Sequence, residues 1–167
     1  MGHTPKLPFD ILDYHKTGPN FPFGMLHTIG DKTYMLVKAS AALTCRAGYC
    51  LDFSTRKNAT VVAAGGSGSK LCAGFCPSGS ATRTAAAGDA FWLLRKGVMT
   101  VYMGSGGTDI AAGLPIREDS VLGKVQGLAI SVASAGALLP AFGSIIGMGL
   151  STVATAAACT CSINIIN

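Results

Sequence analysis

Glycine placement is what most limits how this chain can fold. Of its 167 residues, 22 are glycine, and from residue 25 onward they cut the apolar sequence into runs of a few residues. A helix needs an unbroken apolar stripe over about ten residues or more, and interior glycines weaken it. Short β-prone runs between glycine turns fit strands instead. Residues 78–88 are rich in Ala and Thr, but Gly79 and Gly88 punctuate them and no apolar stripe runs through.

The strand candidates are residues 34–38, 48–53, 60–63 and 71–75, then 90–95 and 98–103, and finally 121–128 and 162–166. Residues 90–95 are the strongest of these. Lys96-Gly97 reads as a tight turn that makes residues 98–103 their hairpin partner. Residues 65–69 read as a flexible turn. Asp89, after Gly88, reads as a turn-forming residue. Residues 110–115 lead into a further turn holding Arg117, Glu118 and Asp119. Many short strands with glycine turns predict an all-β fold, a small β-barrel or β-sandwich.

Residues 1–24 differ from the rest. Pro5, Pro8, Pro19 and Pro22 alternate with Phe9, Tyr14, Phe21 and Phe23. Proline fixes φ and removes a backbone donor, so an extended N-terminal arm is expected here, followed by a β domain over 25–167. Disordered tails carry few aromatics, so Phe9, Tyr14, Phe21 and Phe23 are candidate anchors that dock on another surface. Trp92 and Phe91 are the candidate structural core.

Charged residues make up 13% of the chain, against about 25% in an average soluble domain. A largely uncharged surface suits a subunit that lives in an assembly. The net charge is +5, with basic residues scattered and densest at Arg56-Lys57 and Arg95-Lys96. That pattern lacks the basic stripe interleaved with aromatics of a nucleic-acid binder, so no direct nucleic-acid contact is expected. It suits a weakly acidic protein surface equally well.

Lys124 is the last charged side chain. Residues 127–150 are therefore long enough to cross a bilayer. They also contain Pro140, break at Gly136, Gly143, Gly147 and Gly149, and lack Trp or Tyr anchors. Strands buried in an assembly are the better reading, and no membrane partner is expected.

The search for chemistry returns little. Lys70, after the glycine-rich run, is followed by Leu71 where a phosphate loop needs Ser or Thr. Gly147-Met148-Gly149 has no third glycine in place for a dinucleotide fingerprint, and both runs read as turns. His3, His15 and His27 lie in or beside the arm, away in sequence from paired carboxylates and nucleophiles. No catalytic residue and no cofactor is expected, and the chain reads as a non-enzyme.

The six cysteines are Cys45, Cys50, Cys72, Cys76, Cys159 and Cys161. No apolar run follows residues 1–6, so no secretory signal is read and the thiols are expected to be reduced. Pairs at Cys45/Cys50 and Cys72/Cys76 are wider than the CxxC of structural zinc sites, so no metal is expected. Buried thiols filling a small-residue core are the reading, and disulfides formed after release from a cell stay open. Cys159 and Cys161, two apart, face the same side if they lie on a strand.

Residues 87–101 carry Gly88-Asp89, then Phe91-Trp92-Leu93, then Gly97 and Val101. This stretch resembles a segment of small structural proteins of tailed bacteriophages. The later order, with Ala112-Gly113, then Gly123-Lys124-Val125 and a final run from Cys161 to Ile166, resembles their capsid decoration (cement) proteins. The likeness spans residues 34–166 in pattern and is close in identity over 87–101. The C-terminal region departs from the family in being longer and less charged. The resemblance implies a virion protein without catalysis. It would bind the major capsid protein on the outer capsid surface and brace the head, after passing through the host cytoplasm during assembly. A homotrimer is the expected self-assembly. Other readings are a head fibre base or tail protein, or a small membrane-active protein using residues 127–150.

Overall fold

A computed structural model describes residues 11, 22–63, 71–77, 82–104, 109–119, 123–128, 145–154 and 157–165. These residues are almost wholly β, as expected. The strands are β1 (Leu26–Ile29), β2 (Lys32–Ala39), β3 (Leu43–Cys45), β4 (Cys50–Thr55), β5 (Thr60–Ala63), β6 (Cys72–Phe75), β7 (Arg83–Ala85), β8 (Ala90–Tyr102), β9 (Pro115–Glu118), β10 (Val125–Gly127), β11 (Gly147–Gly149) and β12 (Ala158–Asn164). One 3-10 turn, Arg56–Asn58, links β4 to β5.

Five strands close into a barrel in the order β2-β5-β4-β6-β8, with β8 returning to β2. Each antiparallel pairing reverses strand direction, so a ring of five closes only with an odd number of parallel pairings. Here β2 and β5 supply one parallel pair and the other four pairs are antiparallel. A second sheet, β12-β11-β9-β10, grows from β8, and β1 extends the barrel beyond β2. The small β3–β7 ladder adds Leu43, Cys45 and Ala85 to the barrel core.

Alternation along the strands sorts the side chains into layers. Met35, Val37, Leu51, Phe53, Val61, Phe91 and Leu93 form one buried cluster, inside the barrel. Cys50, Cys72, Phe75 and Leu94 point the other way. They pack with Met99, Val101, Ile116, Val125, Cys161 and Ile163, between the barrel wall and the second sheet. Leu36, Ala90 and Trp92 face out on a different part of the wall, where Ile11, Phe23 and Met25 cover them. Burial on both faces explains why residues 90–94 read as one continuous apolar run.

The expected hairpin at Lys96-Gly97 does not form. β8 is a single strand of 13 residues that passes through both positions. At Leu94 it pairs with Tyr34 and Phe75, so β2 and β6 take opposite edges. From Lys96 onward β12 takes over the β6 edge, in register from Asn164↔Lys96 to Ala158↔Tyr102. Gly97 sits at this handover with φ +129, in the region that favours glycine, and Lys32 Cγ lies 2.8 Å from where a Cβ would stand. The glycine allows a bend within the strand rather than a turn. The alternation slips at Gly74 as well, where β6 backbone approaches Leu93 and Leu94 too closely for any side chain.

Two further expectations are corrected. Arg117 and Glu118 belong to strand β9, because Pro115–Glu118 pairs with β10 and β11, and the chain turns before them at Ala112-Gly113. Gly147-Met148-Gly149, expected as a turn, is strand β11, because it pairs with β12 and β9 on its two edges, and strands β1, β3 and β7 had no signal in the sequence; each of these four has three or four residues.

Gly97→Ala should cost about 1–3 kcal/mol through backbone strain and the clash with Lys32, measured by urea unfolding. Phe23→Ala should uncover the single tryptophan. We expect red-shifted Trp92 emission and a loss of about 1–3 kcal/mol, less than truncation of a fully buried Phe.

Candidate functional site

Of the four aromatics expected to anchor the arm, the structure describes Phe23. Its ring is half-buried against the chain's own barrel, with Lys38 Nζ 5.6 Å from its centroid. Phe9, Tyr14 and Phe21 lie outside the described residues, as do residues 64–70 with the glycine-rich turn. Trp92 and Phe91 are buried on opposite sides of the barrel wall. Residues 129–144, most of the uncharged stretch, also lie outside. Its end forms β11, whose Gly149 packs against Ile110. No helix among the described residues is long and apolar enough to cross a membrane.

Two places on the described chain can act on something else. The first is the set of large apolar side chains left in solvent. Leu26 and Ile29 stand 59% and 48% exposed on β1, the terminal strand at one end of the sheet order. Leu114, Met148 and Leu150 are exposed towards the other end, where Gly149 N donates to Leu114 O across neighbouring strands.

The second is a buried cluster of thiols and carboxylates. All six cysteines are buried, and none is in a disulfide. The first four do not pair by sequence spacing, whereas Cys159 and Cys161 meet on one side of a strand as expected. Cys50 on β4 meets Cys72 on β6, Sγ to Sγ 3.1 Å, and Cys45 meets Cys76. Cys159 and Cys161 share one side of β12, 3.7 Å apart. Cross-strand neighbours, not chain neighbours, bring two of these pairs together.

The Cys50–Cys72 pair has acidic company. The Cys50 thiol donates to Glu118 Oε1 on β9 at 3.6 Å. Asp52 is opposite Cys72 in the β4–β6 register, and its carboxyl contacts Glu118. Asp52 is 2% exposed and its Oδ1 has no hydrogen-bond partner among the described residues. Burial pushes the Glu118 carboxyl up to about 8, helped by the neighbouring Asp52. Burial also raises both thiols, Cys50 most. The sequence reading missed this site because Glu118 lies 46 or more positions from either cysteine, and was placed in a turn.

Other polar residues have structural work. Asp89 Oδ2 accepts from Ala86 N at 2.8 Å and closes the turn before β8, as expected. His27 stacks at a tilt on Trp92, centroids 6.2 Å apart. Arg46 lies over the ring of Tyr102 at 4.8 Å and near Tyr49, tying the β3–β4 loop to β8.

No protein-family model matches this chain, and no curated protein matches it. Among solved structures, the crystal structure of the head fiber gp8.5 N base in bacteriophage phi29 is similar, with a TM-score of 0.44 and 13% identity. The match covers 81% of this chain and 98% of that one.

Glu118 gives a pH dependence with a definite sign. Its carboxyl titrates near 8 when folded and near the ordinary 4.5 when unfolded. Between those values the folded chain keeps a proton that the unfolded chain releases, so stability falls as pH rises from about 5 to 8. Thermal melts in EDTA should show this decline, and Glu118→Gln should flatten it.

Proposed function

We propose that this chain is a non-enzymatic virion protein that decorates the outer surface of a viral capsid. The observation that carries the reading is the set of large apolar side chains in solvent, Leu26 and Ile29 on β1 and Leu114, Met148 and Leu150 on or beside β9 and β11, on a chain with 13% charged residues. β1 offers Leu26 and Ile29 together with a backbone edge that no strand pairs among the described residues, and no charged residue. Such an edge is a hazard for a free monomer and a contact surface in an assembly. The resemblance of residues 87–101 to small structural proteins of tailed bacteriophages, and of the later order to their capsid decoration proteins, points the same way.

In this reading the partner is the major capsid protein. Copies of the chain join as a homotrimer, and neither nucleic acid nor membrane is contacted. Many copies on one lattice bind with avidity, so each contact can be weak. The chain assembles in the host cytoplasm and ends on the capsid exterior. Phe9, Tyr14 and Phe21 remain the arm residues proposed to reach the shell, whereas Phe23 serves the barrel as well.

The test is adsorption of the purified chain to shells that lack it, followed by cryo-electron microscopy. Saturable binding with density on the outer surface is expected, and Leu26→Lys with Ile29→Lys should weaken it at least tenfold with unchanged circular dichroism. Failure to bind any shell would overturn the proposal. Density at a tail or at a head fibre base would replace the shell-surface role with a different virion role.

A further inference from the structure

We infer that Cys50, Cys72 and Glu118, with Asp52 beside them, form a binding site for a zinc ion that pins the second sheet to the barrel. The ligand atoms of the first three residues all lie within 4.8 Å of one another. Tetrahedral zinc with bonds of about 2.3 Å to sulfur and about 2.1 Å to oxygen sets its sulfur and oxygen ligands about 3.6 Å apart. Cys50 Sγ and Glu118 Oε1 are already 3.6 Å apart. Two sulfur ligands would stand about 3.8 Å apart, so the present 3.1 Å asks for a small outward rotation of the thiols.

The second observation is Asp52. A carboxylate oxygen that is buried without a hydrogen-bond partner is costly. Oδ1 of Asp52 is in that position among the described residues, with Glu118 beside it. A dication would offset much of the charge of the two thiolates and of the Glu118 and Asp52 carboxylates, with Cys50, Cys72 and Glu118 as ligands and Asp52 beside them. Two thiolates and a carboxylate suit zinc, whereas magnesium and calcium take all-oxygen sets. The other two cysteine pairs lack a carboxylate partner among the described residues and fit the role of apolar filler.

The placement gives the site a purpose. Cys50 and Asp52 lie on β4 and Cys72 on β6, both barrel strands, while Glu118 lies on β9 of the second sheet. A bound ion would join the two layers across their shared core. Glu118 is the most exposed of the four and marks the side from which an ion enters. Binding exchanges thiol protons for the metal, Cys-SH to Cys-S⁻ with release of H⁺ to water, and no electron is transferred.

The full-length chain, stripped with EDTA under reducing conditions, is titrated with Zn²⁺ alone and with Co²⁺ as a spectroscopic probe. One equivalent per chain is expected, with a thiolate-to-cobalt charge-transfer band and a rise in Tm. Cys72→Ser should abolish the band, Asp52→Asn should weaken zinc binding about 10–100-fold, and Cys159→Ala should change neither. Glu118→Gln keeps both thiols and should also weaken zinc, which tests the site if a cysteine variant does not fold. Absence of a cobalt band, or a band that survives Cys72→Ser, would overturn the inference. So would a Cys50–Cys72 disulfide in protein purified without reductant, found by thiol counting. None of these outcomes bears on shell adsorption, so the two proposals fail separately.

Discussion

Strand β8 is the element on which the other layers depend. A strand of 13 residues spans about 43 Å, longer than most strands in globular proteins. Its first half closes the barrel by joining β2 to β6, and its second half carries the second sheet through β12. The two halves need different directions, because one wraps round the barrel core and the other leaves it. Gly97 reconciles them by adopting a backbone conformation that a side chain would strain, at a point where Lys32 fills the space a side chain would need.

Sharing one strand between two sheets creates a seam. The outside of the barrel wall at Cys50, Cys72, Phe75 and Leu94 must be covered, and the second sheet covers it with Ile116, Val125 and Ile163. Elsewhere on the wall the N-terminal segment covers Leu36 and Trp92. The first seam is apolar except where Asp52 and Glu118 enter it beside two thiols. Carboxyl groups buried in such a place hold a proton or find a cation, and burial beside Asp52 raises the Glu118 carboxyl accordingly.

The apolar exposure at Leu26, Ile29, Met148 and Leu150 is of a different kind. Leu26 and Ile29 lie on β1, the terminal strand of the sheet order, whereas Met148 lies on β11, which pairs with β12 and β9 on its two edges. Low overall charge leaves little to repel a neighbour from these residues. The same composition that lets small residues pack closely inside the barrel therefore also makes the exterior adhesive.

The sequence by itself determined the strand content. Glycine spacing excluded long helices, and residues 34–38, 60–63 and 90–95 each carried the apolar character that their strands need. It also determined that Asp89 makes a turn and that the cysteines are buried, because these depend on neighbours a few residues away or on composition. The layer arrangement was decided in the tertiary structure. Lys96-Gly97 reads as a turn locally, and it became mid-strand because β2 and β12 pair with its two edges. Cys50 faces Cys72 and Glu118 across three strands, a meeting set by register and barrel closure. Phe23 was placed by the need to cover Trp92. Local propensity acts over a few residues, whereas these outcomes follow from pairings between distant segments, which no short window of sequence contains.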